Sequence, residues 1–186
     1  MAIPEKTRLY TVDEFDEILA RQENADRLLE LINGEIVEKV PTQLHGFIAG
    51  NIFGFFWNYS RDKGIGVAVM EVRHRVPGDK HNDRIPDVSF YLDASQPLVE
   101  RGPVPRLPDI AVEVKSPDDS YTQLQEKADY YLANGTKLVL LAYTEKRLLV
   151  VRTPDNEDIL TEDETFDGGD VLPGFTLPVK EIFPKK

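Results

Sequence analysis

The alternation of apolar and polar residues predicts a short helix and a β-hairpin at the start of the chain. A capping-box pattern at Thr11 and apolar residues at helical spacing predict a helix over roughly 11 to 22. Asn33-Gly34 lies between two strand-like segments, 28–32 and 35–40, and supplies the positive φ angles of a type I′ turn. We therefore expect a hairpin that precedes the main domain.

The next segment, from about 42 to 61, has a helical period but is apolar nearly all round. A helix of that kind is normally covered on more than one side. Gly46, Gly50 and Gly54 recur every four residues and line one face, where they permit close approach of another backbone. Two interpretations stay open: the glycine face packs on the sheet within one subunit, or it forms a contact in a homodimer.

The rest of the pattern predicts an α/β fold. Alternating or apolar strand segments occupy 66–76, 87–92, 109–115, 137–143 and 148–153. A polar turn over 77–85 and a proline-rich loop over 93–107 separate the first three, and the loop either lines the approach to a site or is a surface connection. A helix that begins after Ser120 and ends near Gly135 precedes the fourth. The order helix, three strands, helix, strand predicts a central mixed β-sheet flanked by helices.

Length and composition are those of one domain. With 186 residues and 41% hydrophobic content, the chain can bury one core. We divide it into an N-terminal helix and hairpin (1–41), a core (42–153) and an acidic β-rich tail (154–186). The absence of cysteine excludes disulfides and thiolate metal sites. The first six residues lack the apolar core of a signal peptide and no apolar run could cross a bilayer, so we expect a cytoplasmic protein.

The net charge of −11 argues against a nucleic-acid-binding protein, because such proteins usually carry a basic surface. Eight of the acidic residues lie within 155–170, a segment that contains no Lys or Arg. The rest of the chain is much closer to neutral, and the carboxylates of a metal site would add to the acid count. The charge therefore lowers the expected affinity for DNA without excluding its hydrolysis.

Two short segments, Pro86-Asp87 and Glu113-Val114-Lys115, carry the candidate chemistry. They place two carboxylates and an ammonium where adjacent strands could gather them. Mg²⁺, for which Mn²⁺ can substitute, would relieve the repulsion between the carboxylates and leave coordination positions for water and phosphate oxygens. A neighbouring lysine can orient or deprotonate the attacking water, or stabilise charge on phosphorus. These groups suffice for metal-assisted hydrolysis of a phosphodiester.

The choice of Asp87 rests on strand geometry, because the chain has four Pro-Asp dipeptides. Asp109 and Glu113 lie on one predicted strand, and four residues at about 3.3 Å each separate their Cα atoms by roughly 13 Å, too far to share one metal. Asp87 heads a separate strand, and neighbouring strands lie about 4.8 Å apart. The alternative is structural, namely that the face carrying Glu113 and Lys115 is a solvated sheet face with a simple cross-strand salt bridge.

With these elements in order, the chain resembles the PD-(D/E)XK nuclease superfamily, whose signature is Pro-Asp followed by (Asp/Glu)-x-Lys. More narrowly, it is similar to the Uma-type family of restriction-endonuclease-like proteins. The resemblance is carried by Glu30-Leu31-Ile32-Asn33-Gly34-Glu35, His45 after Pro41, Pro86-Asp87-Val88, Val112-Glu113-Val114-Lys115-Ser116-Pro117, Glu126-Lys127 with Tyr131 and Gly135, and Leu172-Pro173-Gly174. It implies a restriction-endonuclease-like sandwich with an N-terminal hairpin extension.

The resemblance also implies the roles of site residues. The implied catalytic set is Asp87, Glu113, Lys115, Glu30 and Lys127. Within it, Asp87 and Glu113 would bind Mg²⁺, and the backbone carbonyl of Val114 would complete the metal shell. Many relatives have an apolar residue in place of Lys115, and their helix lysine substitutes for it. This chain has both Lys115 and the helix residue Lys127, so either could act.

The histidines have weaker patterns. His45 begins the long helix and could contact a phosphate or hold Glu30, or it could cap the helix or fill a polar corner. His74 and His81 lack metal-ligand spacing, and we interpret them as structural or surface residues. The sequence contains no Gly-rich phosphate loop, Gly-x-Ser-x-Gly turn or Cys/His cluster, which excludes those chemistries.

Two functions follow as hypotheses. The first is a Mg²⁺-dependent DNA endonuclease in which metal-activated water attacks phosphorus in line. It would be a homodimer with DNA as its substrate and no attachment to a membrane. The second is a noncatalytic module that keeps the nuclease fold and acts through dimerisation or partner binding, as the overall acidity and the apolar helix suggest.

Overall fold

The computed structural model describes residues 8–117 and 119–185. The predicted absence of a signal peptide concerns residues that lie outside this part of the chain. Within it, three α-helices and ten β-strands form the α/β architecture expected from the sequence. None of the helices in these residues combines the length and apolar character that a membrane span requires.

The N-terminal helix and hairpin form as predicted. Helix α1 (Val12–Leu19) begins after Thr11, whose hydroxyl accepts a hydrogen bond from the backbone amide of Glu14. The Glu14 side chain accepts one from the amide of Thr11 in return, which completes a capping box. Strands β1 (Leu29–Ile32) and β2 (Glu35–Glu38) pair antiparallel. Asn33 and Gly34 join them with φ angles of 50° and 86°, which is the left-handed backbone that a type I′ turn requires. The hairpin packs on α1 through a small apolar cluster of its own.

The central sheet is mixed. In the described residues it has six strands in the order β3-β4-β5-β6-β7-β8, with β5 and β6 parallel and the other pairs antiparallel. The strands are β3 (Val67–Met70), β4 (Val88–Tyr91), β5 (Ile110–Val114), β6 (Leu138–Tyr143), β7 (Leu148–Arg152) and β8 (Glu157–Leu160). The edge strand β8 comes from the segment predicted as a tail, so that segment completes the sheet.

Two helices cover the opposite faces of this sheet. Helix α2 (Gln43–Lys63) begins at the cap Thr42, and α3 (Tyr121–Ala133) begins at Ser120 with a second capping box. Alternate sheet residues pack in two separate cores, one under α2 and one under α3. In β5, the valines pack toward α2, while the intervening residues face α3. This alternation directs the side chain of Glu113 toward α3.

Residues 66–76 form a shorter strand than predicted. Strand β3 ends at Met70, because Glu71 has a φ of 52° that a continuous strand does not allow. The following turn is also less exposed than its polar sequence indicates. Asp83 is fully buried, and its backbone pairs with Leu31 of the hairpin. Two arginines neutralise it, with Nη2 of Arg73 and Nη2 of Arg75 each 2.6 Å from its Oδ2.

The C-terminal segment packs against α2. Strands β9 (Thr165–Asp167) and β10 (Thr176–Pro178) form a two-stranded sheet, and the intervening Phe175 stacks on Phe56 of α2 with ring centroids 5.0 Å apart. The acidic side chains lie mostly on the outside of this segment, while its apolar residues join the core under α2.

The glycine face of α2 does not pack on the sheet. Apart from the neighbouring residues and backbone of the same helix, a Cβ built on Gly46, Gly50 or Gly54 would meet no described atom within 4 Å. The same face carries Phe47 and Trp57, whose exposures are 47% and 45%. Packing of this face within one subunit is therefore the wrong interpretation, because the buried stripe of α2 lies on the opposite side of the helix. A dimer contact stays a prediction.

Candidate functional site

A cleft of about 400 Å³ opens between the hairpin, the start of α2, the adjoining ends of β4 and β5, and α3. Its lining includes every acid of the predicted site, together with His45, Val114 and Lys127. The proline-rich loop 93–107 contributes none of the described residues that line it, so this loop is a surface connection. Asp109 is also absent from that lining; its carboxylate pairs with Lys137 and accepts the amide of Leu92.

Asp87 lies directly before β4 and is 1% exposed. Its amide donates to the carbonyl of Val112, so the β4–β5 register brings it across from Glu113. Oδ2 accepts the amide of Val114 at 2.6 Å, and Oδ1 accepts Nζ of Lys39 at 2.5 Å. Burial raises the pKa of this carboxyl, but attraction to Lys39 and the other partners outweighs burial and holds the pKa well below its usual range. Asp87 is therefore an ionised, oriented carboxylate.

Glu113 is buried in β5 and faces α3. Tyr131 donates its hydroxyl to Oε1 at 2.6 Å, and Lys127 donates to Oε2 at 3.0 Å. Burial raises the pKa of Glu113, the two nearby lysines lower it, and the charges of Asp87 and Glu30 raise it again, so that it lies above its usual value. The acids are thus close enough to repel one another.

Glu30 reaches the same cleft from β1 of the hairpin. It is fully buried, and its Oε1 accepts the amide of Ile85 at 2.7 Å. Its Oε2 lies 3.2 Å from Nζ of Lys127. Burial raises the pKa of Glu30, but attraction to Lys127 and Lys39 outweighs burial and leaves the pKa below its usual value. The hairpin extension is therefore part of the site.

Lys127 bridges Glu30 and Glu113 from helix α3. Burial lowers its pKa, but attraction to these two carboxylates outweighs burial and holds the pKa well above its ordinary value. Lys115 is placed differently. Its Nζ donates to the carbonyl of Ser116 at 3.2 Å and lies 4.0 Å from Glu145, and Lys115 is not among the described residues that line the cleft. The structure therefore brings Lys127, and not Lys115, to the carboxylates.

His45 holds Asp87, and not Glu30 as one interpretation of the sequence had it. Its Nε2 lies 3.0 Å from Oδ2 of Asp87, and its side chain is largely buried in the first turn of α2. Burial lowers the pKa of His45, but the hydrogen bond and attraction to Asp87 outweigh burial and raise the pKa above its ordinary value. The other two histidines lie outside the lining of the cleft: His74 is buried against the hydroxyl of Tyr91, and His81 is a surface residue.

Sequence reasoning missed Lys39, Tyr131 and Arg84 as members of this site. Tyr131 follows Lys127 by four residues and shares its face of α3, which is a signal that could have found it. Arg84 is 1% exposed, lines the cleft and lies over the ring of Tyr130 at 4.5 Å. Lys39 carries no local signal, because its contact depends on how the hairpin docks.

The donor chemistry of the cleft fits a hard divalent cation, since three carboxylates line it and the carbonyl of Ile85 binds the same ammonium as Asp87 does. Burial and, to a smaller extent, repulsion from Asp87 and Glu30 raise the pKa of Glu113, and a bound cation would offset both effects. In the described part of the chain, however, no group of three or more His, Asp or Glu side chains is already arranged to hold a metal. Lysine ammonium groups lie against the carboxylates instead.

Comparisons with known proteins agree with this fold. A family model described as "Uma2: Putative restriction endonuclease" matches residues 12–180. The crystal structure of a putative nuclease belonging to DUF820 from Anabaena variabilis ATCC 29413 is similar, with a TM-score of 0.77 and 25% sequence identity over 93% of this chain and 97% of that chain. No curated protein matches the chain.

Proposed function

Because this chain belongs to the Uma2 family of putative restriction endonucleases, we propose that it is a Mg²⁺-dependent DNA endonuclease. The active site in this proposal is the carboxylate cleft. The observation that carries it is the convergence of Glu30, Asp87 and Glu113 with the ammonium groups of Lys39 and Lys127. Buried acids from three separate elements, held together by two lysines, are more than a sheet face needs for stability, and such clusters are typical of functional sites.

We assign Asp87 and Glu113 as the ligands of Mg²⁺, for which Mn²⁺ can substitute, with the carbonyl of Val114 as a third. When bound, the ion would supply positive charge that stabilises the charge developing on the phosphate oxygens. Asp87 is suited to this role because its low pKa keeps it ionised, and because the amide of Val114 and His45 fix its Oδ2. His45 is thus a positioning residue for this carboxylate.

We assign the role of catalytic lysine to Lys127. Its raised pKa keeps it protonated, so it acts as a cation and hydrogen-bond donor to the substrate phosphate and not as a general base. Glu30 and Glu113 fix its ammonium from two sides. Lys115 turns toward Glu145 and stays outside this arrangement.

The test is DNA cleavage by the purified protein with Mg²⁺ or Mn²⁺, on supercoiled plasmid, linear duplex, single-stranded DNA and an RNA control. Asp87→Asn should lower the cleavage rate by a factor on the order of 100 or more, because it removes a charge from the metal site. The matched control is Asp109→Asn. Asp109 also follows a proline and precedes a strand of the same sheet, but it lies outside the cleft.

The D109N variant should cleave at the wild-type rate. The proposal fails if the wild type cleaves none of these substrates with either ion, or if D87N cleaves as fast as D109N. If the protein cleaves only RNA, the proposed substrate is wrong, and the proposed active site stands.

The exposed face of α2 favours a second candidate, a noncatalytic module that acts through dimerisation or partner binding. Phe47 and Trp57 flank the open glycine row there, and two copies could approach closely along it. A homodimer is also part of the endonuclease proposal, so dimerisation alone does not separate the two. An inactive wild type that dimerises through this face would favour the module.

A further inference from the structure

Lys39 follows β2 at the base of the hairpin and reaches into the carboxylate cleft. Its ammonium donates to Oδ1 of Asp87 at 2.5 Å and to the backbone carbonyl of Ile85 at 2.7 Å. Only 10% of the side chain is exposed. The ammonium is therefore bound by a carboxylate oxygen and a carbonyl oxygen, which are the same donor types that a hard divalent cation uses.

The charge of Lys39 acts on all of the buried acids of the cleft. Burial lowers the pKa of Lys39, but attraction to Asp87, Glu113 and Glu30, in that order, outweighs burial and raises the pKa. Lys127 already contacts Glu30 and Glu113, so Lys39 supplies the ammonium that Asp87 would otherwise lack. A cation at Asp87 would enter the region that the Lys39 ammonium fills.

We infer that Lys39 is a positioning residue that takes the place of the divalent cation at Asp87 and leaves that carboxylate when the cation binds. The inference rests on the proposed metal site. The physical reason is that an ammonium and a divalent cation repel each other strongly at the separation that sharing one carboxylate would impose. Binding of one therefore excludes the other, and the ammonium of Lys39 holds the carboxylate of Asp87 in place in the meantime.

This competition has two consequences. The apparent affinity for the cation is lowered, because the cation must displace a bound ammonium. The hairpin is also coupled to the site, because Lys39 is joined to β2 and its amide donates to the carbonyl of Leu28. By linkage, a ligand that binds more tightly when Lys39 is away from Asp87 raises the affinity for the cation. The cation raises the affinity for that ligand by the same factor.

The first experiment is calorimetric titration of Mn²⁺ into the wild type, Lys39→Met and Lys137→Met. The last is a matched control, since Lys137 pairs with Asp109 outside the cleft. K39M should bind Mn²⁺ at least about tenfold more tightly than the wild type, and K137M should bind like the wild type. A lysine that merely stabilises the fold would lower stability on substitution without tightening metal binding. Equal or weaker binding by K39M overturns the inference.

The second experiment uses the wild type and so does not depend on how K39M folds. Lysines are acetylated with acetic anhydride, with and without saturating Mn²⁺, and modification is measured by mass spectrometry. Mn²⁺ should raise the modification of Lys39 severalfold and leave that of Lys137 unchanged. If Mn²⁺ binds but the acetylation of Lys39 is the same with and without it, the inference is overturned. If neither the wild type nor K39M binds Mn²⁺, the proposed metal site fails, and the inference fails with it.

Discussion

Replacing Lys127 by methionine removes the positive charge that two buried carboxylates share. Its Nζ lies 3.2 Å from Oε2 of Glu30 and 3.0 Å from Oε2 of Glu113, and these acids are 0% and 2% exposed. Methionine keeps most of the volume but leaves the two like charges without this partner. Breaking a buried ion pair in this way costs about 3–5 kcal/mol, so we expect K127M to lose that much free energy of unfolding.

The assay is urea denaturation at neutral pH, followed by circular dichroism and checked by thermal melting. In a domain of this size, 1 kcal/mol corresponds to about 2–4 °C, so Tm should fall by roughly 6–20 °C. The control K137M removes a lysine that is 53% exposed in its pair with Asp109. Exposed pairs contribute about 0–1 kcal/mol, and we expect K137M to stay within that range.

A double substitution sharpens the test. Adding Glu113→Gln to K127M should recover a large part of the lost stability, because the amide removes one of the two repelling charges. The reasoning is refuted if K127M destabilises the protein no more than K137M does. It is also refuted if adding E113Q to K127M lowers the free energy of unfolding by as much as adding E113Q to the wild type does.

Three further predictions concern single elements of the fold. Tyr131→Phe removes the hydroxyl that donates to Glu113 at 2.6 Å and should cost about 1–3 kcal/mol in urea denaturation, whereas an unchanged free energy of unfolding would contradict it. Burial lowers the pKa of His74 from 6.5 to about 4, so the unfolded chain binds a proton at a higher pH than the folded chain does. Stability should therefore fall by up to about 3 kcal/mol as the pH drops from 6.5 to 4, and His74→Gln should flatten this part of the curve; equal slopes would count against it. If two copies of the chain form a homodimer through the exposed face of α2, sedimentation should show a dimer for the wild type and monomers for Phe47→Glu and Trp57→Glu. A wild type that stays monomeric at the highest concentration would disprove this contact.

The elements that the sequence predicts well are those with local causes. Thr11 and Ser120 cap their helices through hydrogen bonds within one turn, and Asn33-Gly34 sets the hairpin turn by its own φ angles. The meeting of Asp87 and Glu113 could also be foreseen, because it needs only that their strands be neighbours. The structure pairs β4 with β5 and brings both carboxylates into one cleft.

The other features depend on contacts between distant parts of the chain. Strand β5 ends at Val114, so the alternation that would put Lys115 beside Glu113 does not extend to it, and Lys115 turns toward Glu145. Lys39 meets Asp87 only because the hairpin docks on the end of the sheet, and no short motif encodes that docking. Which lysines contact the acids of the site is therefore harder to predict from the sequence than the acids themselves.

Anomalous diffraction from crystals soaked in Mn²⁺ tests most directly whether the cleft binds a divalent cation. The proposal predicts a peak within coordination distance of the carboxylates of both Asp87 and Glu113, with the ammonium of Lys39 moved away from Oδ1 of Asp87. A cleft without a peak at saturating Mn²⁺, with Lys39 still bound to Asp87, would contradict it.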